Sequence, residues 1–299
     1  MSIIERATES LRPLEWSNVK PSGPLERIER AISEGEQAVL SEAGKLAAHL
    51  QTDPGRAHQP RATTRTVNID RELLRRRGMV TPDGARTPIA ENFRRIKRHI
   101  LASMAQPKPG VAANLVLVTS ALPGEGKTFC ATNLAISIAL EMDHSVLLVD
   151  ADVAKPGIPA TLGFKAELGL MDVVLDRKIE LADVLCHTDI DKLTLLPAGT
   201  PHPRATELLA SEAMRALLQE MADRYRDRIV IFDAPPLLVA SEAGVLASRM
   251  GQIVLVVEAG RTSEAELQNA LGRIESGDVA ALVLNKAQSP GPAYNYVAR

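Results

Sequence analysis

The chain is short of cysteine and of aromatic residues. Two cysteines, Cys130 and Cys186, occur in 299 residues. They have no metal-ligand spacing, and their simplest reading is small buried thiols in a reducing compartment. Aromatic residues are 3% of the chain, and two of its three tyrosines, Tyr294 and Tyr296, fall in the last few residues. No sign of charge dominates: the net charge is −2, which makes no global case for nucleic acid or an anionic membrane as partner. Long apolar runs are missing too, and the longest have the length of a strand, so nothing is expected to span a membrane. The opening, MSIIERATES, has no signal-peptide core, which points to a cytoplasmic protein. Internal repeats and low-complexity tracts are absent.

What is present suffices for a core: 45% of residues are apolar and 24% charged, as in a soluble α/β protein. The organising stretch is LVLVTSALPGEGKTFCATNLAISIAL, residues 115–140. Its apolar start reads as a buried parallel strand. A loop with Pro123, Gly124 and Gly126 follows, and Lys127-Thr128 open an alanine-rich helix. Strand, glycine-containing loop, GK[ST] and helix form the context of a P-loop, although Ala121 replaces the first glycine of the strict pattern. Loop amides and free N–H groups at the helix start surround a polyphosphate. Gly126 allows close approach, Lys127 reaches the β/γ-phosphates, and the Thr128 hydroxyl ligates Mg²⁺. Two later strands, in SVLLVDAD and RIVIFDAPP, end on Asp150 and Asp233. Carboxylates at strand ends lie where metal and an attacking hydroxyl must be held. The three elements together predict a nucleotide-binding phosphoryl-transfer site.

Around that site, alternating apolar and helical patterns predict a P-loop NTPase fold, a mostly parallel sheet with helices on both faces. Strands are expected at 115–120, 145–150, 193–197, 229–233, 252–258 and 279–285. Helices are expected near 127–142, 168–175, 206–225, 241–249 and 263–276. The expected division is a helical, partly disordered extension over 1–85 for partner docking, a catalytic domain over 86–288, and a flexible tail over 289–299. Residues 61–100 carry eleven arginines and lysines against four acids, a solvated face or one that meets an acidic partner. The helix after Pro88 places Ile89, Phe93, Ile96 and Ile100 on one side. Glu91, Arg94 and Lys97 recur on a related face, suited to ion pairs with a neighbouring molecule. Tyr225 reads as packing. Asn285, ending the last strand in LVLNKA, is a candidate contact to the base, and Gln288 stands where a guanine-reading NKxD would need aspartate, which favours ATP.

TSALPGEGKT, VLLVDADVAKP and IVIFDAPPLL, with LPAGTPHPRATELL between the last two, resemble the bacterial tyrosine kinases of capsule and exopolysaccharide export, and among them the exosortase-associated autokinases. The resemblance covers roughly residues 86 to 299. It implies an ATP- and Mg²⁺-dependent tyrosine autokinase with Ala121, Leu122, Pro123, Gly124, Glu125, Gly126, Lys127, Thr128 and Phe129 around the nucleotide. Asp150 and Asp152 fall on the second acidic motif, the first as metal ligand and base, the second near the metal; Asp233 falls on the Walker B acid. Glu91, Arg94 and Lys97 fall on the ring-assembly motif, with lysine for its last arginine, and Ala154 replaces an arginine found in many relatives. Tyr294 and Tyr296 fall where the family carries acceptor tyrosines phosphorylated in trans. The implied partners are a membrane-embedded polysaccharide chain-length determinant, further copies in a ring, and a phosphotyrosine phosphatase, with the chain held peripherally at the inner membrane. Two rival readings remain at this point: a nucleotide-driven positioning ATPase, whose extra early P-loop lysine is missing at Leu122 and Pro123, and a non-catalytic ATP-binding scaffold.

Overall fold

In the computed structural model the described residues are 65–84, 86–105, 112–274 and 278–287. Residues 1–64 of the extension expected over 1–85, and the tail tyrosines, lie outside them. An eight-stranded sheet is built from β1 (Arg65–Val67), β2 (Leu115–Ser120), β3 (Ser145–Asp150), β4 (Cys186–Thr188), β5 (Leu193–Leu196), β6 (Arg228–Asp233), β7 (Gln252–Glu258) and β8 (Asp278–Asn285), in the order β1-β4-β5-β3-β6-β2-β7-β8. Every pairing is parallel except β4 with β5.

Alternation along the strands divides the core between two faces. Val116, Val118, Val146, Leu148, Ile229 and Ile231 pack on one side beneath α2 (Pro88–Met104) and α3 (Lys127–Ala139). Leu115, Leu117, Leu147, Val149, Val230 and Phe232 face the other. That side is covered by α5 (Leu170–Leu175), α6 (Leu181–Val184), α7 (Ala205–Leu209) and α8 (Glu212–Arg224). A third cluster joins Ala121, Leu237, Leu255 and Ala270 beneath α9 (Ser241–Ala247) and α10 (Glu264–Leu271).

The expected strands all form, with small differences at their ends. The helix expected over 206–225 divides in two, because Ser211 accepts a hydrogen bond from Met214 N–H at 3.2 Å and so caps a fresh start. The domain boundary expected at 86 moves towards the N-terminus. β1 joins the sheet through β4, and α1 (Arg71–Arg76) buries Leu74 against α4 (Ile158–Leu162) and the main core. Asp189 holds this segment by accepting from Ile69 N–H at 2.8 Å and Arg71 at 3.1 Å. Proline, glycine and arginine content masked that packing in the sequence. Among the described residues no helix is long and apolar enough to cross a membrane.

Lys97 requires a second correction. On α2 it is buried at 5% exposure, donates to the Ser137 carbonyl at 3.0 Å and pairs with Glu141 beyond α3. Its neighbours on that side are Phe93 and Ile100, one turn away in either direction, so position 97 faces its own chain. Glu91 and Arg94 remain at the surface, paired with one another at 3.1 Å.

Candidate functional site

The P-loop leaves the end of β2, and its two glycines are there for conformation. Gly124 and Gly126 have φ of 87° and 95°, the left-handed region that disfavours a Cβ. Gly126 also caps α3, and a Cβ there would lie 2.1 Å from Asn285 Nδ2. Ala121, the departure from the strict pattern, has no positive φ; its methyl is fully buried beside Leu237 and Leu255. The exchange replaces backbone freedom with packing. At the α3 start the first N–H groups have no partner within the helix and are available to phosphate.

The two strand-end acids are brought together by topology. β6 lies between β3 and β2, and its register sets Asp150 directly across from Asp233. Asp150 Oδ2 accepts from Gly157 N–H and Ile158 N–H, both at 3.0 Å, leaving Oδ1 without a partner. Neither oxygen of Asp233 has a hydrogen-bond partner. Thr128 Oγ1 adjoins Gly157, at 3.1 Å from where a Cβ would stand. It also draws Asp233 towards ionisation, though not through a regular hydrogen bond. Lys127 Nζ lies 2.5 Å from Asp152 Oδ2, with both side chains mostly buried.

Burial pushes the Asp150 carboxyl up to about 6, against the pull of the Ile158 and Gly157 N–H groups. Burial likewise raises Asp233 to about 7; Lys127 opposes the shift and Asp150 adds to it. Unpartnered buried carboxylate oxygens cost roughly 1–3 kcal/mol each or more. Three of them beside a threonine hydroxyl form an all-oxygen donor set suited to Mg²⁺. Cys130, buried nearby, is raised to about 12 and stays a thiol.

Lys127, Thr128, Asp150, Asp152 and Asp233 thus converge at one edge of the sheet. Phe129 points elsewhere, its ring packing edge-on to Phe93 at 6.3 Å. The Glu125 side chain is fully buried behind the loop. Asn285 touches the loop, donating to the Glu125 carbonyl at 2.8 Å. Tyr225 is buried, with the Arg228 guanidinium 4.9 Å over its ring. Residues with no motif to mark them are also present: Gly157 and Ile158, which hold Asp150, and Glu258, Thr262 and Lys286, which contact the loop.

A P-loop, two adjoining strand-end acids and a parallel sheet define a nucleotide-dependent phosphotransferase or NTPase. The family model described as an AAA domain matches residues 114–276. The tyrosine-protein kinase YwqD of Bacillus subtilis (strain 168) is 34% identical over 184 residues, covering 60% of this chain and 76% of the relative. The tyrosine-protein kinase CpsD of Streptococcus agalactiae is 28% identical, covering 68% of this chain and 86% of the relative. The tyrosine-protein kinase etk of Escherichia coli (strain K12) is 32% identical over 61% of this chain, which spans 25% of that longer protein. Among solved structures, the kinase domain of Escherichia coli ETK superposes with a TM-score of 0.62 at 26% identity, covering 79% of this chain and 87% of that one. The chimerical protein CapA2B2 also gives 0.62, at 25% identity over 76% and 94%. The chain belongs to the bacterial tyrosine-protein kinases: it is a protein-tyrosine kinase.

Proposed function

We propose that the kinase is an autokinase acting in trans on Tyr294 and Tyr296 of a neighbouring copy, and that it regulates exopolysaccharide polymerisation or export at the inner membrane. The partners in this reading are a membrane-embedded chain-length determinant, copies of the chain in a ring, and a phosphatase that resets the tail. The observation that carries the chemistry is the cluster of three unpartnered buried carboxylate oxygens on Asp150 and Asp233, beside Lys127 and Thr128.

Thr128, Asp150 and Asp233 would hold Mg²⁺, which supplies charge neutralisation and orientation of the β- and γ-phosphates. Lys127 exchanges Asp152 for the phosphates and stabilises the negative charge of the transferred group, aided by the amides of the α3 start. Asp150, at the end of β3, orients the tyrosine hydroxyl and receives its proton. The tyrosine oxygen forms the new bond to the γ-phosphorus as the bond to the β-phosphate oxygen breaks, and ADP leaves. Phosphorylation adds about −1.5 to −2 charges per tyrosine, which repels the tail from an acidic site and favours opening of the ring.

The test is mass spectrometry of the full chain after incubation with Mg-ATP, alone and with the cytoplasmic segment of a candidate membrane partner. Phosphate on Tyr294 or Tyr296 that is lost in Lys127→Met is the expected result. ATP hydrolysis without phosphotyrosine in either condition would overturn it.

A further inference from the structure

Glu125 lies within the P-loop, yet its carboxylate bonds to none of Lys127, Thr128, Asp150, Asp152 and Asp233. One oxygen accepts from Leu122 N–H at 2.6 Å. The other accepts from Glu258 N–H at 3.1 Å and from the Thr262 hydroxyl. The first donor belongs to the loop itself, and the other two belong to the end of β7 and the turn that follows. From the adjacent strand end, Asn285 Nδ2 reaches the Glu125 carbonyl at 2.8 Å and Lys286 Nζ reaches the Gly124 carbonyl at 2.7 Å. Glu258 completes the set by pairing with Lys286 at 3.1 Å and Arg261 at 2.9 Å. Lys286 makes its contact from a φ of 58°, a strained setting that persists where surrounding contacts hold it.

The arrangement answers a geometric problem. Loop amides converge on a polyphosphate only if the neighbouring carbonyls turn outward, and outward carbonyls need donors. An acid in such a loop would also repel the phosphates unless it faced away and its charge were shared among donors. Both requirements are met by the ends of β7 and β8.

We propose that Glu125 and Thr262 are positioning residues, which hold the P-loop in its phosphate-binding shape from behind and touch neither nucleotide nor metal. The proposal rests on the kinase reading only in taking the ligand to be an adenine nucleotide. Its test is direct binding of a fluorescent N-methylanthraniloyl-ADP with Mg²⁺ to the full chain, which reads affinity without phosphotransfer. Thr262→Val should weaken binding about tenfold, the scale of a hydrogen bond to a charged group, while Thr262→Ser restores it. Glu125→Gln places an amide N–H₂ against a donor and should weaken binding similarly, with the double variant little worse than either single one. In the kinase assay the KM for ATP should rise by the same factor, with kcat at saturating ATP within about twofold. Unchanged binding by Thr262→Val would overturn the proposal. So would a Glu125→Gln variant with normal affinity but an altered kcat or Mg²⁺ requirement, since that places the carboxylate on the reacting groups. If Glu125→Gln does not fold, the Thr262 pair decides alone. Failure of the kinase reading would appear in the phosphotyrosine assay and leave the binding result interpretable.

Discussion

Charge without a partner is the dominant feature of single residues here. Asp150 and Asp233 are fully buried, and burial raises both pKa values, to about 6 and about 7. A carboxyl whose folded pKa exceeds its unfolded value binds more protons folded than unfolded. Stability from this pair is therefore complete below about pH 4 and is lost as pH rises through about 6 to 7 in the metal-free protein. Mg²⁺ requires the ionised forms, so its uptake with nucleotide releases protons. Calorimetry in two buffers of different ionisation enthalpy should show release at about pH 6 that fades by about pH 8.5, with affinity rising over that interval. Asp233→Asn should abolish phosphotransfer and raise the melting temperature of the metal-free protein above neutral pH, as scanning calorimetry would show. Gly126→Ala has two costs. A non-glycine residue in the left-handed region costs about 1–2 kcal/mol, and the new methyl displaces Asn285 from the Glu125 carbonyl. Nucleotide affinity should fall at least about tenfold, measured by the same ADP fluorescence.

Among the elements, α2 was legible as an amphipathic helix after Pro88, and the structure adds Thr87 as the cap of its first turn. Its arginine-and-lysine row was not legible as two different things. Arg94 and Glu91 pair at the surface, whereas Lys97 crosses to Glu141 and Ser137. Spacing alone cannot separate these, because a long stem lets a lysine lie among apolar residues while its ammonium finds a partner. Lys97→Met keeps the stem and removes the charge. The expected cost is about 1–3 kcal/mol, because the Ser137 carbonyl loses its donor while the half-exposed Glu141 carboxylate stays hydrated. Light scattering should show an oligomer distribution unchanged by this substitution. The α7–α8 break is a similar case: helical periodicity continues through Ser211, and only the Ser211 cap, which accepts from Met214 N–H, ends one helix and starts the next.

At the scale of the whole molecule, the site exists because β6 is inserted between β3 and β2. That order cannot be read from the chain, where the segment for β6 follows β3 by some eighty residues. The same sheet extends to β1 at its far edge, so residues 65–84 belong to the folded unit. A chain starting at residue 86 uncovers the surface that Leu74, Met79 and Val80 pack against and should melt below one starting at residue 65. A loss of about 2–5 kcal/mol is expected from the first of these side chains alone, on the scale of large core truncations, and urea unfolding would measure it.

The sequence by itself determined the class of site. An apolar strand before GKT and two more ending in aspartate leave few alternatives, because charges at strand mouths have no core explanation. It also determined the alternation of strands and helices, since those patterns are local. Tertiary structure decided which acids meet, which way Glu125 and Lys97 turn, and that Asn285 and Lys286 support the loop. Those outcomes depend on strand order and on hydrogen bonds spanning more than a hundred residues, and no local pattern carries that information.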